Sequence, residues 1–259
     1  MSELSLEGVS LSFGGLKAVD SLTMAMRPNE VLGLIGPNGA GKTTVFNLIT
    51  GVYRPDEGRI TYRGKPLTKL LPHDIVEAGI ARTFQNIRLF KAMTALENIL
   101  AGMHCRTRAG VVGSLLRTSF QQQEEKEAVE RAEEILNFLG LYDKRYELAS
   151  NLPYGLQRRL EIARALASQP HTLLLDEPAA GMNPQESREL MELIDDILGR
   201  GINILLVEHD MKVVMGICHR IVVLDYGKKI AEGTPDEIRH NPQVIEAYLG
   251  TLGQEQGEA

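Results

Sequence analysis

The stretch "VLGLIGPNGAGKTT", residues 31 to 44, constrains this chain more than any other. An apolar run ends in a loop made of Gly36, Pro37, Asn38, Gly39, Ala40 and Gly41, and Lys42, Thr43 and Thr44 then open a helical pattern. Strand, glycine loop and helix start, in that order, are what a backbone needs to wrap an anion. Glycines let successive amides close round phosphate oxygens, and the helix dipole offers its positive end. On this reading Lys42 sets a cation against the β and γ phosphates, and Thr43 reaches a magnesium ion.

Two further strand ends carry polar groups. "LLLDEP", residues 173 to 178, finishes an apolar run with adjacent acids, and bare burial of such charges is costly. Asp176 fits a magnesium-side carboxylate acting through water, and Glu177 a base that orients attacking water; a helix-capping acid pair is the bland alternative. His209 closes "NILLVEHD", where it points toward the same place as a donor to a γ-phosphate. His73, His104, His171, His219 and His240 are read as structural. "LPYGLQRRLEIARAL", residues 152 to 166, is either an ordinary loop before a helix or a helix N-terminus offered to an anion.

Along the chain, "LSLEGVSLSF", "SLTMAMR", "VLGLIG" and "GRITYRG" read as short strands. "TALENILAGM" is a helix with a Thr94–Glu97 capping box and an apolar face of Leu96, Ile99, Leu100 and Met103. "EEKEAVERAEEILNFLGL" is a helix striped by Val129, Ala132, Ile135, Leu136 and Leu139. Between them, residues 104–123 mix basic, small and apolar side chains and read as an insertion without an assigned role. After residue 170, apolar strands alternate with a helix begun by Asn183, Pro184 and Glu186 and turned inward at Leu190, Ile194 and Ile197; "RIVVLDYGKKIAEG" reads as a hairpin, and "NPQVIEAYLG" as a terminal helix. This is an α/β pattern with a mostly parallel sheet covered on both faces.

Composition narrows the partners. With 43% hydrophobic residues and a formal net charge of −6, the chain is ordinary globular material without the basic stripe of a nucleic-acid binder. Cys105 and Cys218 have no ligand spacing and read as reduced thiols of a cytosolic protein, with neither a disulfide partner nor a structural zinc. No secretory leader is visible, and no apolar run approaches the roughly 18 residues of a membrane span. Membrane association is therefore expected through a partner.

The phosphate loop, Gln85 in "RTFQNIRLF", the stretch at 152–156, "LLLDEP" and His209 stand in an order and spacing similar to ATP-binding cassette ATPases, over essentially the whole chain. The resemblance implies a P-loop NTPase core with an N-terminal antiparallel β subdomain, a helical subdomain over residues 86–165 within one domain spanning 1–259, and a C-terminal helix and tail over 241–259. It implies ATP and Mg2+ as ligands, Gln85 beside the metal and the attacking water, and Phe13 stacked on adenine; a strand-core role for Phe13 stays open. It also implies a head-to-tail dimer with a second such ATPase, identical or not, in which Tyr154 and Gly155 face the γ-phosphate held by the opposite subunit. Here the anion-site reading of "LPYGL" prevails, although Pro153, Tyr154 and Leu156 depart from the family's Leu-Ser-Gly-Gly-Gln, and Asn183 stands where many relatives have Asp.

"LPYGLQRRLEIARAL", "DEPAAGMNP" and "GTPDEIRHNPQVIEAYLG" look like the ATPase subunits of bacterial branched-chain amino-acid importers, and the segment after residue 100 is similar to the larger of the two such subunits. That resemblance implies transmembrane permease partners and a peripheral place on the cytoplasmic face of the cell membrane. Relatives for amide or urea uptake or lipid export share much of the pattern. A soluble cassette acting on ribosomes or DNA would carry two cassettes or long arms, and a phosphoryl-transfer kinase has no need of the stretch at 152–156.

Overall fold

The computed structural model describes residues 3–103 and 119–255. The unassigned basic segment falls largely on residues 104–118, outside the described residues, as does Cys105. The chain forms two compact units, Met1–Ile75 with Leu174–Ala259, and Val76–Leu173.

In the first unit, β1 (Leu4–Phe13) and β2 (Leu16–Met26) form an antiparallel sheet with β4 (Glu57–Tyr62) and β5 (Lys65–Pro66), in the order β2-β1-β4-β5. The inward side chains of β1 change phase midway: Leu4 and Leu6 are buried, then Val9 and Leu11. The register breaks between Leu6 and Val9, where Gly8 takes φ 58, a left-handed conformation that glycine adopts without steric cost. One extra residue thus returns the apolar face to the core.

The second sheet carries the candidate site. Its centre is β3 (Val31–Ile35), parallel to β8 (Asn203–Val207) on one side and β9 (Arg220–Asp225) on the other. Every residue of β3, β8 and β7 (Thr172–Asp176) is buried, which is why these strands read as unbroken apolar runs. The order in this unit is β10-β9-β3-β8-β7, with β10 (Lys228–Gly233) antiparallel at the edge. Tyr226 (φ 43) and Gly227 (φ 78) are both left-handed, as a two-residue hairpin turn of matching twist requires. Helices α1 (Lys42–Ile49), α6 (Pro184–Gly199), α7 (Met211–Ile217), α8 (Pro235–Arg239) and α9 (Pro242–Glu255) complete the unit. The helix expected to begin at Asn183, Pro184 and Glu186 does so, with Asn183 and Glu186 forming a reciprocal capping box, and Leu190, Ile194 and Ile197 are buried.

β7 begins in the second unit, where the amides of His171 and Thr172 donate to the Gly79 carbonyl (2.8 and 3.0 Å), between α2 (Pro72–Ala78) and β6 (Ile80–Arg82). This unit also holds α3 (Ala95–Met103), α4 (Ser119–Phe138) and α5 (Tyr154–Ala167). Thr94 and Glu97 exchange hydrogen bonds of 2.7 and 3.2 Å as a capping box. The buried face of α3 differs from the expected one: Ala95, Asn98, Ile99 and Met103 are enclosed, and Leu96 and Leu100 only half so. Asn98 belongs inside because it is satisfied there, accepting from the Phe90 amide (2.9 Å) and donating to the carbonyls of Phe90 (3.1 Å) and Thr94 (2.9 Å).

Candidate active site

The glycine loop joins β3 to α1. Gly41 takes φ 103, and a β-carbon there would lie 2.5 Å from the Ala18 carbonyl oxygen, so only glycine fits. α1 starts on Gly41 with no side chain capping it and no acid in its first turn, leaving the positive end of the helix without a built-in counter-charge. Lys42 folds back over the loop, its ammonium donating to the carbonyls of Gly36 (2.6 Å) and Pro37 (2.9 Å). Burial lowers the Lys42 pKa, and the nearby carboxylates of Glu177 and Asp176 oppose that shift. These three groups therefore share one electrostatic neighbourhood.

Asp176 ends β7 and is 4% exposed. Glu177 follows at φ 46, its amide donating to the Val207 carbonyl at the end of β8 (2.8 Å). That bond holds the two strand ends together. Oε2 of Glu177 lies 3.6 Å from Nδ1 of His209, an approach that becomes an ion pair when the imidazole is protonated. Between them in sequence space sits Glu208, a residue passed over when "NILLVEHD" is read for its histidine. Glu208 is 1% exposed; Oε1 accepts from the Ala179 amide (2.7 Å), and Oε2 accepts from the amides of His209 (2.9 Å) and Asp210 (3.2 Å). A charge inside an apolar run was the available signal. Its meaning lay in Ala179, on another loop.

Phe13 stands at the end of β1, 46% exposed, with its ring edge-on to Tyr53 (centroids 5.2 Å apart). Exposure removes the strand-core reading and leaves an aromatic surface. Tyr248 on α9 also reaches the loop region: burial pushes its hydroxyl up to about 12, against a hydrogen bond with the Gly36 backbone.

Gln85, Tyr154 and Gly155 belong to the second unit. Gln85 follows β6, and its carbonyl accepts from Arg158 (2.8 Å). Tyr154 and Gly155 form the first turn of α5, after Pro153 at the cap, with no side-chain cap. "LPYGL" is thus a helix N-terminus, with Tyr154 exposed on it.

No three His, Cys, Asp or Glu side chains cluster as metal ligands among the described residues. The donors present suit a hard cation that keeps its water and takes phosphate oxygens: one buried carboxylate, Asp176, and the hydroxyl of Thr43. Cys218 is buried, which pushes its thiol up to about 12, with the Glu208 charge adding to the effect. Among the described residues no helix is long and apolar enough to cross a membrane.

A parallel sheet that delivers a glycine loop, two acids and a histidine at its strand ends defines a nucleotide-binding ATPase class. The ABC transporter family model matches residues 19–180, and that for the branched-chain amino acid ATP-binding cassette transporter matches residues 228–251. The chain is 50% identical over 248 residues to the high-affinity branched-chain amino acid transport ATP-binding protein LivG of Salmonella typhimurium, covering 95% of this chain and 97% of that one. It is 46% identical to BraF of Pseudomonas aeruginosa, which carries the same description, at the same coverage. The solved ADP conformation of MJ1267, an ATP-binding cassette of an ABC transporter, superposes with a TM-score of 0.85 at 35% identity, covering 96% of this chain and 99% of that one. The chain belongs to the ABC transporter family, as one of its ATP-binding cassettes.

Proposed function

We propose that this chain is the ATP-hydrolysing subunit of an importer for branched-chain amino acids. The observation that carries hydrolysis is the meeting of Lys42 with Asp176 and Glu177 beside an uncapped helix start. The loop amides and Lys42 bind the phosphates and stabilise charge as it develops on them. Glu177 accepts a proton from the attacking water, and His209 donates to the γ-phosphate. Phe13 stacks on the adenine. Thr43 and Asp176 would hold Mg2+, which when bound neutralises phosphate charge; Gln85 keeps the role toward metal and water that the family resemblance implies.

The solute follows from the relatives and from the C-terminal match, which spans β10 to α9. The working form is a head-to-tail dimer with a second ATP-binding subunit, carrying two ATP molecules between Lys42 on one chain and the Tyr154–Gly155 turn of the other. Transmembrane permease subunits hold it at the cytoplasmic face of the membrane. Leucine uptake by membrane vesicles containing the permease, with and without this chain, tests the reading. ATP-dependent uptake that vanishes with Lys42→Ala is expected. ATP turnover without uptake of leucine, isoleucine or valine would move the assignment to another solute.

A further inference from the structure

Arg158 and Glu161 lie one turn apart on α5 and are enclosed, at 0% and 1% exposure. A buried ion pair is a weak source of stability, because apolar residues of similar volume commonly serve as well. What this pair holds is more informative. Nη1 of Arg158 donates to the Phe84 carbonyl (2.7 Å) and to Oε2 of Glu161 (2.8 Å). Nη2 donates to the Gln85 carbonyl (2.8 Å) and to the Tyr154 hydroxyl (3.2 Å). The other carboxylate oxygen of Glu161 accepts from the Arg88 amide (3.1 Å). The ring of Phe84 is flanked by the guanidinium groups of Arg82 and Arg88, 5.2 and 4.4 Å from its centroid. One pair of charges therefore grips the main chain on both sides of Gln85 and the first side chain of the helix that carries Gly155.

We propose that Arg158 is a positioning residue for ATP turnover: with Glu161 as its counter-charge, it locks the main chain of Gln85 to the first turn of α5, so that Gln85 and the Tyr154–Gly155 turn move as one piece. The proposal rests on the reading of both segments as facing ATP. Under that reading Gln85 serves the nucleotide of its own chain and Gly155 that of the opposite chain, and the lock makes the two contacts interdependent. The planar fork is essential, since one ammonium cannot reproduce bonds to two successive carbonyls, a carboxylate and a hydroxyl.

The test uses the full chain and two variants, Arg158→Met with Glu161→Met, and Arg158→Lys. The double change leaves no orphan charge and is expected to fold; Arg158→Lys keeps the charge and stands in if it does not. Amide hydrogen exchange over residues 84–88 should rise on the order of tenfold or more, the scale of losing a charge-assisted hydrogen bond, while Leu160–Ala167 keep their protection. ATP affinity should stay within about twofold, because Lys42 and its loop are untouched, and kcat should fall on the order of tenfold. Arg158→Lys should lie between parent and double variant on both measures. A folded variant with parental kcat overturns the proposal, whether or not exchange has risen, and so does unchanged exchange at 84–88. A parent chain that fails to hydrolyse ATP sinks the functional reading instead, and the exchange arm then still judges the lock.

Discussion

Glu177 shows how a single residue is aimed. A non-glycine residue at φ 46 carries strain of order 1 kcal/mol or more, and here the backbone is held by the Glu177 amide on Val207 and by the Ala180 amide on the Glu177 carbonyl (3.2 Å). The direction of the carboxylate is thus set by main chain. Glu177→Gln keeps shape and backbone bonds but cannot take a proton. It should retain ATP binding, lose turnover by roughly 10²–10⁴-fold, and accumulate as an ATP-bound dimer on size-exclusion chromatography. An active, monomeric variant would remove Glu177 as base. Phe13, exposed beside Tyr53, makes a second prediction. Phe13→Ala should weaken nucleotide binding by about 1–3 kcal/mol, the range for base–aromatic stacking, and spare turnover at saturating ATP; binding titration decides it. Both residues are named by the sequence as candidates, Glu177 as a motif position and Phe13 only through the family resemblance. The strained backbone behind Glu177 was not legible there, because it depends on a strand thirty residues further on.

Elements communicate here through buried carboxylates. Glu208 accepts amides from the loop after β7 and from the start of the loop after β8, so the segments bearing Glu177 and His209 share one anchor. Glu208→Gln replaces an acceptor-only group with an amide whose NH2 must oppose a backbone N–H. A destabilisation of about 1–3 kcal/mol is expected from the mismatched buried group, together with a fall in kcat larger than any change in ATP affinity. Chemical denaturation and steady-state kinetics check the two halves, and parental values in both would reduce Glu208 to filler. The element boundaries themselves were well marked, since Asn183 and Thr94 cap their helices with side chains that are visible in sequence.

For the whole molecule, two measurements reach beyond single sites. If the dimer is head-to-tail, Lys42→Ala and Gly155→Asp proteins should each be inactive alone, and their mixture should recover part of the activity, because one orientation leaves one site with both loops intact. Full activity of Gly155→Asp by itself would count against action in trans. The pH response has a definite sign. The Cys218 thiol and the Tyr248 hydroxyl, both pushed up to about 12 by burial, stay neutral in the folded chain. The unfolded chain ionises them from about pH 9 and 10, so it binds fewer protons than the native state across that window. Their contribution is whole below pH 9 and is lost toward pH 12, at up to about 1.4 kcal/mol per pH unit for each group. Cys218→Ala should flatten the first part of that fall in denaturant midpoints measured from pH 8 to 10.

The sequence by itself determined what depends on neighbours in the chain: the glycine loop after β3, the acids ending β7, the capped helices and the hairpin at Tyr226 and Gly227. Each follows from backbone geometry over a few residues, which residue types record directly. Only the tertiary structure decided which polar groups belong inside. Asn98, Arg158 and Glu208 look like surface residues on their own elements, yet each is enclosed because its partners arrive there. Arg158 meets Phe84 from 74 positions away, and Glu208 meets Ala179 from 29. Burying such groups is tolerable only where most of their strong donors and acceptors find mates, as all but Nε of Arg158 do, and that is a property of the assembled fold.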